Sequence, residues 1–555
     1  LPTRRIDAGL TLFVGLIILT MARYGVEAFA AGPWTMADDA RQFLAWGARI
    51  GNPAAMPHDV LADYWQHAAP PLYRALLYGA NALGIGTVQI ASLLAFPLIG
   101  VSALLTWRLA GCFTADRSRQ LIAALCVMAA ILHNDSIFSG TPRAFASPLI
   151  LTMMLGMATR RHGLTLAGLL LSSLIYPAPA ITCLGIFALH LMDWRKPWPP
   201  RWQAVTMLAL AGIMVVASGL FFKAGLADWG PTLLLDEARH IPSIAAFDGR
   251  SSIVDKHGDI AWLCSARIGF LPAIVNCQGN ADPRLILNAL LSVLPIIALW
   301  IAGGRRANDA SPNAATAWPL LTYSLLSSLI CYSLAALVAF TFHLPARYSQ
   351  PVLLVMGSLA FGLLIGGWWS RGMDRLARSR PITGTAIIGI AALLGMAAFA
   401  TPKMRLVHPA DPDLLTLVAN TPVGTRIAGI DDDLAIIPAR TGRTVLATPE
   451  HDIPYHRRYH REHQALLRSS MAMAELRQPT LTAEVRRLDI DLLIFDRHFL
   501  ESGILPASYS AALPPPHRIA PSIDRIAPLR AASCRVIETP QWVAIFTSCL
   551  KQPAP

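Results

Sequence analysis

The sequence predicts a polytopic α-helical membrane protein, with about eleven transmembrane helices and a C-terminal α/β domain outside the membrane. Three observations lead to this class. The chain has 555 residues, of which 54% are hydrophobic and only 14% charged, more apolar surface than a soluble core can hide. Apolar runs long enough to approach the hydrocarbon thickness recur along the first 400 positions. Arginine and lysine cluster in every second loop between those runs.

The runs lie near 9–31, 87–110, 120–133, 144–159, 163–176, 177–192, 203–225, 285–303, 317–341, 351–369 and 382–400. The first reads as a retained helix rather than a cleaved signal. An odd number of crossings puts the termini on opposite sides. Arg4 and Arg5, Arg117 and Arg119, Arg160 and Arg161, Arg195 with Lys196 and Arg201, Arg305 and Arg306, and Arg371, Arg375, Arg378 and Arg380 then share one side. Positive residues are retained in the cytoplasm, so that side is cytoplasmic. The expected location is the bacterial inner membrane, N-terminus inside. The net charge of +12 belongs to this topology; no basic stripe interleaved with aromatics suggests nucleic acid.

The expected division is a transmembrane part over 1–400, with periplasmic loops at 32–86 and 226–284, and a periplasmic α/β domain over 401–555. Cys264 and Cys277 fall in the second loop, Cys534 and Cys549 in the last domain. On an oxidising side each close pair is expected to form a disulfide, with free thiols as the competing reading. In the last domain Thr425 to Ile430, Thr444 to Ala447 and Ile490 to Phe495 read as buried strands, while Arg461 to Arg477 and Leu481 to Leu488 read as amphipathic helices. Arg535 to Ile537 and Trp542 to Phe546 read as a hairpin that the second disulfide would staple.

Chemistry concentrates just outside the first apolar run, in Trp34-Thr35-Met36-Ala37-Asp38-Asp39-Ala40-Arg41-Gln42. Two adjacent carboxylates, Asp38 and Asp39, suit a general base with an orienting partner, or a metal site; a helix N-cap is the structural alternative. His58, Asp59, Asp63, Tyr64 and Trp65 form a second polar and aromatic cluster that could bind a sugar, or simply an interfacial belt. Arg143, in Gly140-Thr141-Pro142-Arg143-Ala144-Phe145, and Arg347, beside Tyr348 in Leu344-Pro345-Ala346-Arg347-Tyr348, break the basic-inside pattern. A planar guanidinium at that edge suits a phosphate; snorkelling to headgroups is the competing reading.

These segments, with Pro454-Tyr455-His456-Arg457-Arg458-Tyr459, resemble the GT-C superfamily of membrane glycosyltransferases, in particular a group of uncharacterised bacterial members, with an architecture like that of protein O-mannosyltransferases and lipid A aminoarabinose transferases. The resemblance implies a sugar moved from a polyprenyl-phosphate donor to an acceptor on the periplasmic side. Asp38 and Asp39 match the position of the catalytic aspartate in the first outer loop. Arg143 and Arg347 would stabilise the departing phosphate, with Arg41, Tyr348 and the 58–65 cluster as substrate-binding residues. A divalent metal at the aspartates is left open. The partners implied are the polyprenyl-phosphate-linked sugar and membrane lipids. Two other readings compete: a lipid or solute transporter using His133, Asn134 and Asp135, and a non-catalytic subunit docking on membrane-protein partners through Asp431-Asp432-Asp433 and the arginines of 457–461.

Overall fold

The computed structural model describes residues 8–192, 202–302, 311–377 and 404–551, apart from positions 248, 276, 278, 342, 454, 516 and 517; side chains of the helix Gln350–Ala377 are described through Arg371. The run 382–400 lies outside these residues, as do Arg4, Arg5 and the basic positions 195, 196, 201, 305, 306, 378 and 380.

Every other apolar run becomes helical, but the eleven crossings are not supported by length. Among the described residues, five helices are long and apolar enough to cross a membrane: Gly9–Ala30, Thr87–Phe113, Trp202–Gly225, Ala314–Leu337 and Gln350–Arg371. Arg284–Leu291 and Val293–Ile301, bent by 50°, make a sixth if they count as one span. Arg117–His133, Ala146–Ala158, His162–Ile175 and Pro177–Leu191 have 17, 13, 14 and 15 residues. At about 1.5 Å per residue they fall short of the roughly 30 Å hydrocarbon layer. Their apolar side chains feed the main helical core instead, with Met128, Ile150, Met153, Leu169 and Phe187 all buried. Runs of this length cannot be told from spans by composition, because a helix shielded by protein on all sides is as apolar as one facing lipid.

Pro177 starts a new helix directly after Tyr176, so the Tyr176-Pro177-Ala178-Pro179 break is a sharp junction between two packed helices. Close backbone approach is built in elsewhere. A Cβ on Gly362 would stand 2.5 Å from the Ala123 Cα, so Gln350–Ala377 meets Arg117–His133 at a distance that only glycine allows.

The C-terminal region forms a five-stranded sheet from β3 (Arg426–Ile430), β4 (Thr444–Val445), β5 (Leu492–Asp496), β6 (Val536–Glu538) and β7 (Trp542–Phe546). The order is β4-β3-β5-β7-β6, parallel across β4-β3-β5 and antiparallel across β5-β7-β6. Helices Arg457–Ala474 and Thr480–Leu488 supply its covering layer. Cys534 and Cys549 are joined, with Cα atoms 5.1 Å apart, across the β6-β7 hairpin. Cys264 and Cys277 are joined as well, at 5.9 Å.

A second core holds the outer segments together. Met36, Trp46, Tyr64, Trp65, Trp229, Ile253, Leu344, Leu434, Tyr459 and Trp542 belong to one buried cluster, so residues 36–91 and 226–268 and the C-terminal sheet pack as a single body. A two-stranded antiparallel ribbon seals the join: β1 (Met36–Ala37) pairs with β2 (Leu406–Val407). That pairing places the start of the C-terminal region directly beside Asp38, whose amide donates to the Arg405 carbonyl at 3.1 Å.

Candidate active site

Asp38 and Asp39 sit between β1 and the short helix Ala40–Phe43. Asp39 occupies the N-cap position of that helix, yet its side chain makes no capping hydrogen bond. Its Oδ2 instead accepts from Arg143 Nη1 at 2.5 Å. Arg143 is presented by a turn that needs glycine: Gly140 has φ +58°, and a Cβ there would lie 1.8 Å from the Ala91 carbonyl oxygen. Thr141 and Pro142 then start the 3₁₀ turn Pro142–Phe145 that aims Arg143 back at the first loop.

Asp38 pairs with Arg41, one turn on. Arg41 also reaches Glu450 Oε2 at 2.9 Å, Gln42 donates to Glu450 Oε1 at 2.5 Å, and Arg250 donates to the same Oε1 at 2.6 Å. Arg267 and Arg347 complete the cluster from the second outer segment and from the turn Pro345–Tyr348. Among the described residues neither is ion-paired to a carboxylate, and the Arg347 Nε is buried without a hydrogen-bond partner.

The electrostatics follow from this crowding. Burial raises the Asp39 carboxyl, but Arg143, Arg250, Arg347 and Arg267 outweigh it and hold the group below its ordinary value. Arg143 moves up: burial opposes its charge, while Asp39 and Asp135 favour it more strongly. Arg267 is pushed down to about 10 by burial and by Arg250, Arg347 and Arg143, and stays charged at neutral pH. Two guanidiniums without an ion-paired carboxylate, beside three more in the same cluster, make a seat for an added anion.

The other expected residues do different work. His58 is exposed at the entrance to the helix Val60–Ala68. Asp59 caps that helix, accepting from the Ala62 amide at 2.8 Å, and Asp63 holds Arg49 at 2.6 Å. Tyr64 and Trp65 are buried. Tyr64 stacks on Tyr459 at 4.0 Å and meets His456 Nδ1 at 3.0 Å, while Trp65 packs on Phe43 at 4.7 Å. Both rings fill the join between the first loop and the C-terminal region. The Tyr348 ring is buried against Ala178 and Ala335.

Sequence reading missed Arg250, Arg267, Glu450 and His343. Arg250 and Arg267 carried a usable signal, since they break the basic-inside pattern as Arg143 and Arg347 do, but in a long loop where that rule is weak. Glu450 gave none. His343 is exposed although it lies among Arg347, Arg267, His456 and Arg143, which help push its imidazole, chiefly desolvated, down to about 3. Its ring packs edge-on to Tyr455 at 5.2 Å, on a backbone with φ +67°.

No protein-family model matches the chain, and no curated protein matches it. Two solved structures are similar in chain course. One is the archaeal oligosaccharyltransferase AglB from Archaeoglobus fulgidus in complex with an inhibitory peptide and a dolichol-phosphate: 13% identity, TM-score 0.49, covering 89% of this chain and 70% of that one. The other is the Archaeoglobus fulgidus oligosaccharyltransferase in complex with Zn and sulfate: 13% identity, TM-score 0.38, covering 88% and 68%. At this distance the functional reading rests on the residues themselves.

The site residues do not fit a divalent cation. Asp38, Asp39 and Glu450 each have a guanidinium partner, and guanidiniums outnumber carboxylates, so a cation would have to displace several ion pairs.

Proposed function

We propose that the chain is a membrane glycosyltransferase, moving a sugar from a polyprenyl-phosphate donor to an acceptor hydroxyl on the periplasmic side of the bacterial inner membrane. One observation carries the reading: two carboxylates, immediately outside an apolar helix, share a cluster with Arg267 and Arg347, neither of which is ion-paired to a carboxylate among the described residues. A lipid-linked phosphate supplies the missing anion. An apolar groove of about 590 Å³ on the first helix, lined by Ile18, Ala22, Gly25, Phe29 and Phe96, suits a lipid tail.

The step follows from the placement of charge. Asp38 is the more open carboxylate, with 25% of its side chain exposed against 13% for Asp39, and only its Oδ1 is bonded to Arg41. Its free oxygen takes the acceptor proton as the acceptor oxygen bonds to the anomeric carbon. The bond from that carbon to the phosphate oxygen breaks, and its electron pair leaves with the phosphate, which Arg267 and Arg347 stabilise. Asp39 anchors Arg143. On this reading the shorter helices complete the crossings, so that residues 401–555 face the periplasm.

The groups that a transport path would use are engaged locally. Asp135 pairs with Arg405 at 3.1 Å, Asn134 accepts from the Ser136 amide, and His133 Nδ1 bonds to the Ala129 carbonyl. Of the residues suggested for a docking surface, Asp433 is buried and receives the Ala410 and Asp411 amides, while Arg457 and Arg458 make exposed ion pairs with Glu237 and Glu462. Native mass spectrometry of the purified protein tests the proposal. A polyprenyl-phosphate lipid is expected on the wild type and lost from Arg267→Ala/Arg347→Ala; a wild type carrying no such lipid would contradict it.

A further inference from the structure

We propose that Glu450 is a positioning residue of the transfer site, through which the C-terminal domain aligns Arg41 and Arg250 and limits the positive charge of the cluster. The inference rests on the cluster being the seat of a lipid-linked phosphate.

Glu450 stands in the 3₁₀ turn Pro449–His451, with a side chain only 11% exposed. Three groups share its carboxylate: Arg41 on Oε2 at 2.9 Å, and Arg250 and Gln42 on Oε1 at 2.6 and 2.5 Å. Gln42 Nε2 also reaches the Glu450 carbonyl at 2.8 Å. Two of these partners come from the loop bearing the aspartates and one from the second outer segment, so a single carboxylate ties three parts of the chain together. Arg41 in turn holds Asp38. A shift of Glu450 therefore reaches the carboxylate assigned as base through one intervening side chain.

The turn itself is rigidly mounted. His451 Nδ1 bonds to Thr448 Oγ1 at 2.7 Å, and the Tyr459 hydroxyl donates to the His451 carbonyl at 2.8 Å. Asp452, fully buried, contacts His460 at 3.0 Å and accepts from Gln464 at 3.0 Å. Tyr459, His460 and Gln464 all belong to the helix Arg457–Ala474. This helix, packed on the sheet, thus fixes the height at which Glu450 enters the site.

Charge gives Glu450 a second effect. Arg41, Arg143, Arg250, Arg267 and Arg347 face Asp38, Asp39 and Glu450, leaving two net positive charges; without Glu450 there are three. Removing its charge strengthens the hold on an anion while freeing the guanidiniums that orient the reacting groups.

The test uses the full chain in nanodiscs, with polyprenyl phosphate as binding probe and lipid-linked sugar from source membranes as donor. Glu450→Gln is expected to bind polyprenyl phosphate about two- to tenfold more tightly and to lower kcat about 100-fold. Glu450→Asp keeps the charge but withdraws the carboxylate, so affinity stays at the wild-type level while kcat still falls. Amide exchange at 41–44 and 250–253 should quicken in both variants, with β5 unchanged. Wild-type kcat, or unchanged exchange in both segments, overturns the proposal. A wild type that binds no polyprenyl phosphate removes the donor reading instead, and exchange alone then decides whether Glu450 positions the two arginines.

Discussion

Asp39 and Arg143, 104 positions apart, meet at 2.5 Å with both side chains largely enclosed. This pair joins the first outer loop to the turn before Ala146–Ala158. Breaking a buried pair from one side leaves an uncompensated charge, at a cost of about 3–5 kcal/mol. Asp39→Asn is therefore expected to lower the melting temperature in detergent well below that of Asp38→Asn, whose partner Arg41 keeps Glu450. Adding Arg143→Met to Asp39→Asn should restore part of the loss. Equal losses for the two single variants would show that the Asp39–Arg143 pair bears little load.

The outer-domain histidines set an acid limit. Burial, the leading cause, pushes His463 and His456 down to about 4 and His451 well below its ordinary value. These groups are neutral when folded, while the unfolded chain protonates near pH 6.5. Stability is thus fully present above pH 6.5 and falls as pH drops toward 4, each group contributing up to about 1.4 kcal/mol per pH unit. His463 is buried, and the Asp452 carboxylate 3.7 Å from its Nδ1 offsets only part of that burial. His463→Leu should flatten the dependence of melting temperature on pH between 6.5 and 4.5; an unchanged slope would mean that its imidazole charges without cost.

The disulfides give a covalent check. Cys534 and Cys549 close a loop of 15 residues, for which chain entropy gives about 3 kcal/mol. Non-reducing peptide mapping should recover Cys264 with Cys277 and Cys534 with Cys549, and Cys534→Ser/Cys549→Ser should lose stability of that order. Recovery of all four as free thiols would contradict an oxidising location for both segments.

Much of this arrangement is written in local sequence. Short continuous apolar runs mark β3, β5 and β7 within one or two residues, because each is a buried strand bounded by turn residues. Arg143 and Asp39 stand out because charge is rare in such an apolar chain. Other features depend on distant partners. Tyr64 and Trp65 look like sugar-stacking rings until Tyr459 and Phe43 cover them. Glu450 gains its place from a pairing across about 400 positions, for which no local pattern exists. The short helices are ambiguous for the same reason: their surroundings, not their composition, decide what they face.

A shared core puts residues 36–91, 226–268 and the C-terminal sheet on one side of the membrane, which the proposed function takes as periplasmic. Reporter fusions after residues 60, 255 and 450 should all read as periplasmic, and those after 117 and 160 as cytoplasmic. A cytoplasmic reading at 450 alone is incompatible with the β1–β2 pairing.

Sugar transfer itself is the most direct test, measured from native lipid-linked donor in membranes and normalised to the folded protein. Losing the proton acceptor should cost about two to four orders of magnitude in rate. Asp38→Asn is expected to show that loss while still inserting and folding, Asp39→Asn to lose both activity and stability, and Arg347→Lys to fall between Asp38→Asn and wild type, since it keeps a charge but not the two-pronged hold on phosphate. Transfer at the wild-type rate by both asparagine variants would contradict the account.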